Sequence, residues 1–159
     1  MVSSGESVTS VTPVYDGYIL QKGSLKQNLA GGFLTEQAAA LLEKRNVVMH
    51  PQYMVKRKEP VELDKPPNFT PNTIADIHPS FHRYAVHKMI HDFKQTVCNT
   101  LEIVLDSNAI NGRPAKPYEF PSGFNTYFRA ERYYIPELMF NPKLCGAEFA
   151  RMSPHHCKS

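Results

Sequence analysis

Val2-Ser3-Ser4-Gly5-Glu6-Ser7-Val8 leads, through Thr9 to Thr12, into Pro13-Val14-Tyr15-Asp16-Gly17-Tyr18-Ile19-Leu20. The small residues of Ser4-Gly5-Glu6-Ser7 let successive backbone N–H groups turn toward one point, so this segment has the makings of an anion-binding nest. Behind it, Val8, Val11, Val14, Tyr15, Tyr18, Ile19 and Leu20 are β-favouring residues around the turn signal Asp16-Gly17, which predicts a strand pair from Val8 to Leu20. A Ser-Gly-Glu-Ser turn standing alone is more often an ordinary hairpin loop. Its reading depends on what the rest of the chain supplies.

Downstream, Leu34-Thr35-Glu36-Gln37-Ala38-Ala39-Ala40-Leu41-Leu42-Glu43-Lys44 is built of good helix formers. With Thr35 as cap and Glu36 near the positive helix end, a helix is expected from Glu36 to Arg45. From His50 to Pro79 the chain is rich in proline and mixed charge, and no hydrophobic period survives, so a long surface insertion over 46–79 is expected. After Ser80 as cap, Val86, Met89, Ile90, Phe93 and Val97 recur at spacings of three and four, which predicts the longest helix and its buried face. A loop from Asp106 to Pro117 precedes Tyr118-Glu119-Phe120 and Phe124 to Phe128, joined through Pro121-Ser122-Gly123 as a hairpin. Ala130 to Phe140 reads as short helical turns, one of them started by Pro136. There is no internal repeat. Strands mixed with helices give an α/β or α+β class.

Composition sets outer bounds. A chain of 159 residues, 42% hydrophobic and 21% charged, suits one soluble globular domain, and no apolar run approaches the ~20 residues of a membrane span. Met1 to Glu6 lacks the basic and apolar pattern of a secretory signal, which points to the cytosol or nucleus. Cys98, Cys145 and Cys157 form an odd set without framework spacing, so reduced thiols are expected. A net charge of +3 permits weak polyanion contact without requiring it.

Three groups of residues together resemble the actin superfamily, and the resemblance covers nearly the whole chain. Val2 to Val8 with Pro13 to Tyr18 is similar to the second phosphate loop and the strands behind it. Leu29-Ala30-Gly31-Gly32-Phe33-Leu34-Thr35 resembles the crossing from large lobe to small lobe, and Asp92-Phe93-Lys94 with Cys98 resembles the helix beside the adenosine. Tyr118 to Gly123, and Ala130-Glu131-Arg132 through Pro136 to Pro142, resemble the hairpin and turns that close the small lobe. Tyr18-Ile19-Leu20-Gln21-Lys22-Gly23, and the insertion that follows Pro51-Gln52-Tyr53-Met54, are similar to the nuclear branch, the actin-related protein four type shared by chromatin remodellers and histone acetyltransferases.

The resemblance implies an actin-like ATPase-domain fragment: subdomain four plus the edge of subdomain three. Residues 1–29 would be a partial large-lobe strand pair with the phosphate loop, 30–143 the small lobe, and 144–159 a divergent tail. The chain starts at the phosphate loop and the likeness ends after Phe140-Asn141-Pro142, so a piece of a longer fold is expected. The cofactor-binding residues implied are Ser4, Gly5, Glu6, Ser7, Gly31, Lys94 and Gln95. Two departures bear on chemistry. The residue aligned with Ser3 is a metal-holding aspartate in hydrolytic actins, and the one aligned with Ser10 is a histidine that positions water. Phosphoryl transfer relies on neutralised charge and an oriented nucleophile, so hydrolysis is not expected. Gln95 stands for a glutamate and His91 for an arginine. ATP is a cofactor for a complete protein of this kind, and stable binding by this chain alone is not expected.

The expected role is that of a noncatalytic subunit of chromatin-remodelling or histone-acetyltransferase assemblies in the nucleus. Its partners would be protein subunits of those complexes, with actin a candidate, and no membrane. The resemblance also implies a long remodeller helix as partner, lying mostly on large-lobe surface beyond these residues. The alternatives are an actin-type ATPase or cytoskeletal protein, and a polyanion-binding module using Lys56-Arg57-Lys58. Those three charges are offset by Glu59, Glu62 and Asp64, so direct nucleic-acid binding is not expected. Adjacent His155 and His156 with Cys157 and Cys145 lack zinc-knuckle spacing, and no metal is assigned.

Overall fold

A computed structural model describes residues 1–103, 110 and 112–146. The tail residues His155, His156 and Cys157, and part of the loop from Asp106, lie outside the described residues. The N-terminal strands divide differently from the single pair expected. β1 (Val2–Ser4) and β2 (Thr9–Val11) pair antiparallel across the Gly5-to-Val8 turn, and β5 (Leu25–Gln27) adds to β2 in the order β1-β2-β5. β3 (Val14–Tyr15) and β4 (Tyr18–Ile19) form a separate two-stranded hairpin. Asp16 and Gly17 both adopt positive φ, 46° and 78°, as a two-residue turn matched to the twist of a hairpin requires. Pro13, whose ring fixes φ and removes an N–H, stands between the two pairs.

α1 (Gly31–Lys44) begins earlier than expected. Thr35 is not its cap. The side chain is 1% exposed inside the first turns and donates back to the Gly31 carbonyl at 2.9 Å. The free N–H groups at the helix start are met by the β1–β2 turn: Gly31 N–H donates to the Gly5 carbonyl at 3.0 Å and Gly32 N–H to the Glu6 carbonyl at 2.6 Å. A helix can therefore start without a capping side chain, because distant backbone accepts from its orphan donors. The close approach of the turn favours glycine here, since a Cβ on Gly31 would stand 3.3 Å from the Gly5 carbonyl and one on Gly32 3.0 Å from the Glu6 carbonyl.

The proline-rich segment is not structureless. β6 (Val55–Lys58) and β7 (Phe69–Pro71) form an antiparallel hairpin within it, following a 3-10 turn at Gln52–Met54. Its residues show no sequence period because the strands are short, mostly exposed and irregular in register between Val55 and Arg57. α2 (Pro79–Val97) follows, and its cap is His78 rather than Ser80: the Ser80 N–H donates to the His78 ring at 3.3 Å. Pro79 at the first helical position is preorganised for the turn.

β8 (Lys116–Glu119) and β9 (Asn125–Phe128) form the expected hairpin, with Gly123 at φ 86° in its loop. α3 (Glu131–Glu137) carries Pro136 inside it instead of at its start. A proline there removes the hydrogen bond to the carbonyl four residues back, that of Arg132. That carbonyl accepts from Asn99 N–H at 3.0 Å instead, which ties α3 to the end of α2.

The core lies where α1, α2, the β8–β9 hairpin and α3 meet. Met89, Ile90, Phe93 and Val97 of α2 are buried against Ala38, Leu42, Val47, Tyr118, Phe120, Phe128 and Ile135, with Val86 partly buried beside them. The three-four periodicity thus marks the buried face. Val2, Val11 and Leu25 lie in register across the N-terminal sheet, and Val2 and Leu25 remain exposed, as do Val14, Tyr15, Tyr18 and Ile19. Among the described residues no helix is long and apolar enough to cross a membrane.

Candidate functional site

The β1–β2 turn, the start of α1 and one face of α2 enclose an open cleft of about 490 Å³. It brings together Ser4, Gly5, Gly31, Lys94 and Gln95, residues spread over most of the chain. Glu6 faces a neighbouring depression of about 270 Å³, with Tyr84, His87, Lys88 and His91. His91 borders both spaces. Ser7 is exposed and lines neither.

Lys94 is anchored from α2 onto α1. Its Nζ donates to the Gly31 carbonyl at 2.7 Å and to Thr35 Oγ1 at 2.8 Å, so two of its three protons are committed within the protein. Partial burial lowers its pKa, against the opposing pull of the Glu6 charge and of Cys98. Glu6 reaches over Gly31 and Gly32, and its Oε1 is 3.3 Å from His87 Nε2. The turn is closed on itself, since Gly5 N–H donates to the Val8 carbonyl at 3.1 Å. Thr35 was not recognisable beforehand as the partner of Lys94, because a threonine inside an alanine-rich helix carries no signal of a lysine 59 residues away.

Cys98 lines the cleft one turn after Lys94, and burial pushes its thiol up to about 11, with Lys94 and Arg132 pulling the other way. The thiolate is the nucleophile, so Cys98 is a poor one near neutrality. Alkylation of Cys98 by iodoacetamide at pH 8 is expected to run about a hundredfold slower than that of a free thiol. Peptide mapping after timed quenching measures this, and labelling at the free-thiol rate in folded protein would contradict the burial.

The cleft matches a nucleotide with its metal only in part. Gly31, Lys94 and Gln95 line the cleft together. The phosphate side does not fit. Ser3 and Ser10 stand opposite one another across β1 and β2, next to the Ser4–Thr9 pair, and neither is a carboxylate of the kind that holds a hard divalent cation. The turn also presents the Gly5 and Glu6 carbonyls, not their N–H groups, to the start of α1. Among the described residues there is no cluster of three His, Cys, Asp or Glu side chains suited to a metal. The basic segment Lys56-Arg57-Lys58 lies in β6, and Lys58 Nζ is 2.5 Å from Glu119 Oε1.

Over 97% of its length the chain is 32% identical to the SWI/SNF and RSC complexes subunit arp42 of Schizosaccharomyces pombe, of which it spans 39%. It is 35% identical to actin-related protein 4 of Oryza sativa over 91% of the chain and 32% of that protein. With actin-related protein 4 of Yarrowia lipolytica it shares 32% identity over 87% of the chain, again 32% of the relative. The chain thus covers well under half the length of these relatives. The sequence model of the actin family matches residues 1–157, and the chain, with its mixed helix-and-sheet fold, belongs to the actin family.

Proposed function

We propose that the chain acts as a noncatalytic actin-related component of chromatin-remodelling or histone-acetyltransferase assemblies in the nucleus. In this reading residues 30–143 are the small lobe, with an insertion over 46–79, and 1–29 belong to the large lobe. The single observation that carries the noncatalytic part is the facing of Ser3 and Ser10 across β1 and β2. Neither hydroxyl supplies the negative charge that holds a metal or the imidazole that orients water, and both are needed for phosphoryl transfer to be fast. The assembly part rests on similarity to a named subunit of the SWI/SNF and RSC complexes. Ser4, Gly5, Glu6, Ser7, Gly31, Lys94 and Gln95 remain the candidate nucleotide contacts of a complete protein. The committed Lys94 and the self-closed turn argue against firm binding by this chain alone.

Purified chain is expected to release no phosphate from ATP above the buffer background, with or without magnesium. The double substitution Ser3→Asp and Ser10→His should leave that unchanged, because the Gly5 N–H stays bonded to Val8 and Lys94 stays bonded to α1. Magnesium-dependent turnover in the wild type that is lost in Lys94→Ala would favour the ATPase alternative. The tagged protein recovered from its own cells should bring subunits of a chromatin complex with it. Recovery with a cytoskeletal filament would reject the assembly role.

A further inference from the structure

α1 and α2 leave a second groove between them, of about 470 Å³, lined by neither Ser4 nor Gly5. Its floor is apolar: Ala39 of α1 with Val86 and Ile90 of α2. Its two walls differ in charge. Glu36 lines the α1 wall, while His82, Arg83 and His87 line the α2 wall. All four of these side chains belong to exposed residues. The basic wall is also stiffened: the His82 ring is 2.5 Å from the Tyr53 hydroxyl, and the Tyr53 ring packs on Phe81 at 5.2 Å. His87 in turn faces Glu6.

A groove with an apolar floor and walls of opposite sign fits one kind of occupant better than others. We infer that it docks an amphipathic helix of a partner protein whose apolar stripe is bordered by basic residues on one flank and acidic residues on the other. Spacings of i, i+3, i+4 and i+7 would place apolar side chains along Ala39, Val86 and Ile90, the helix-in-groove mode of recognition. The partner's basic flank meets Glu36 and its acidic flank meets Arg83. A helix acidic on both flanks sets like charge against Glu36, and one basic on both sets like charge against Arg83, so the walls select by repulsion as much as by attraction. The inference does not depend on nucleotide binding or on the assembly role proposed above.

The test uses three fluorescein-labelled synthetic helices of equal length sharing one leucine stripe, with flanks that are mixed, all glutamate, or all lysine. Fluorescence anisotropy with the full chain at physiological salt is expected to show the mixed helix binding at least about fivefold more tightly than either other. Glu36→Lys makes both walls basic, and should transfer the preference to the all-glutamate helix. Arg83→Glu should transfer it to the all-lysine helix. Both substitutions are at exposed positions, and an unchanged far-ultraviolet circular dichroism spectrum checks the fold. Three helices bound alike, no binding by any of them, or a preference indifferent to both substitutions would overturn the inference. So would concentration-dependent self-association that Glu36→Lys abolishes, which would make a second copy the occupant.

Discussion

Phe93→Ala is expected to cost about 3–5 kcal/mol of folding stability, the range for truncating a large aromatic in a core that collapses only in part. Phe93 is 1% exposed in the C-terminal half of α2, and its ring meets those of Tyr118, Phe120 and Phe128 at centroid distances of 5.2, 6.1 and 4.7 Å. Each contact joins α2 to the β8–β9 hairpin, so the lost ring would leave a cavity between elements and remove aromatic contacts beyond the lost burial. A domain is stable by only ~5–15 kcal/mol, so the variant should unfold at much lower urea or not fold at all. Phe93→Leu provides an intermediate readout should the alanine variant fail to fold. Lys56→Ala on exposed β6 should stay within about 0.5 kcal/mol of wild type. Equal effects at Phe93 and Lys56 in urea titrations would mean that the apolar face of α2 is not the core.

Arg132→Met should be the second large loss, at about 2–4 kcal/mol, although the side chain keeps a similar length. Arg132 is 7% exposed, and among the described residues it makes no salt bridge to a carboxylate. Its guanidinium serves backbone carbonyls instead: Nε donates to Val97 at 3.0 Å and Nη1 to Pro114 at 2.9 Å. Val97 is the last residue of α2, where the helix dipole concentrates negative charge, and a cation there is favourable. The group also lies 5.2 Å from the centre of the Tyr133 ring. Methionine would keep the apolar stem but leave two carbonyls without their donor, and leaving buried acceptors unmet costs more than the bonds contributed net. Arg132→Lys retains charge without the fork and should recover less than half the loss. A change below about 1 kcal/mol for Arg132→Met would show that water replaces the guanidinium, and that the closure of α2 onto α3 does not need it.

Some of this was legible in the residues because it depends on near neighbours. The buried face of α2 follows from side chains three and four apart falling on one side of a helix. Asp16-Gly17 and Pro121-Ser122-Gly123 specify their turns through backbone conformations that few residues adopt. The resemblance of Val2–Val8, Gly31 and Lys94 to one family was legible for a related reason: each motif is a short local pattern, and their order along the chain is itself sequence. The same resemblance singled out Ser3 and Ser10, while only the strand register sets them face to face.

Tertiary structure alone decided where α1 starts, since its first donors are satisfied by Gly5 and Glu6, brought there by β1 and β2 rather than by the chain beside them. The same holds for Lys94, whose exposed-looking place on α2 becomes a tie to Gly31 and Thr35 only when the two helices pack. Pro136 reads locally as a helix start, yet stands inside α3 because Asn99 accepts the role of partner to the carbonyl that proline leaves free. The short hairpin of β6 and β7 leaves no period in an exposed, proline-rich stretch, because alternation is written into sequence only where one face of a strand must be buried. Sequence thus determined which faces are apolar and which turns are tight. Packing determined which polar groups find each other, since hydrogen bonds between distant elements have no periodicity to betray them.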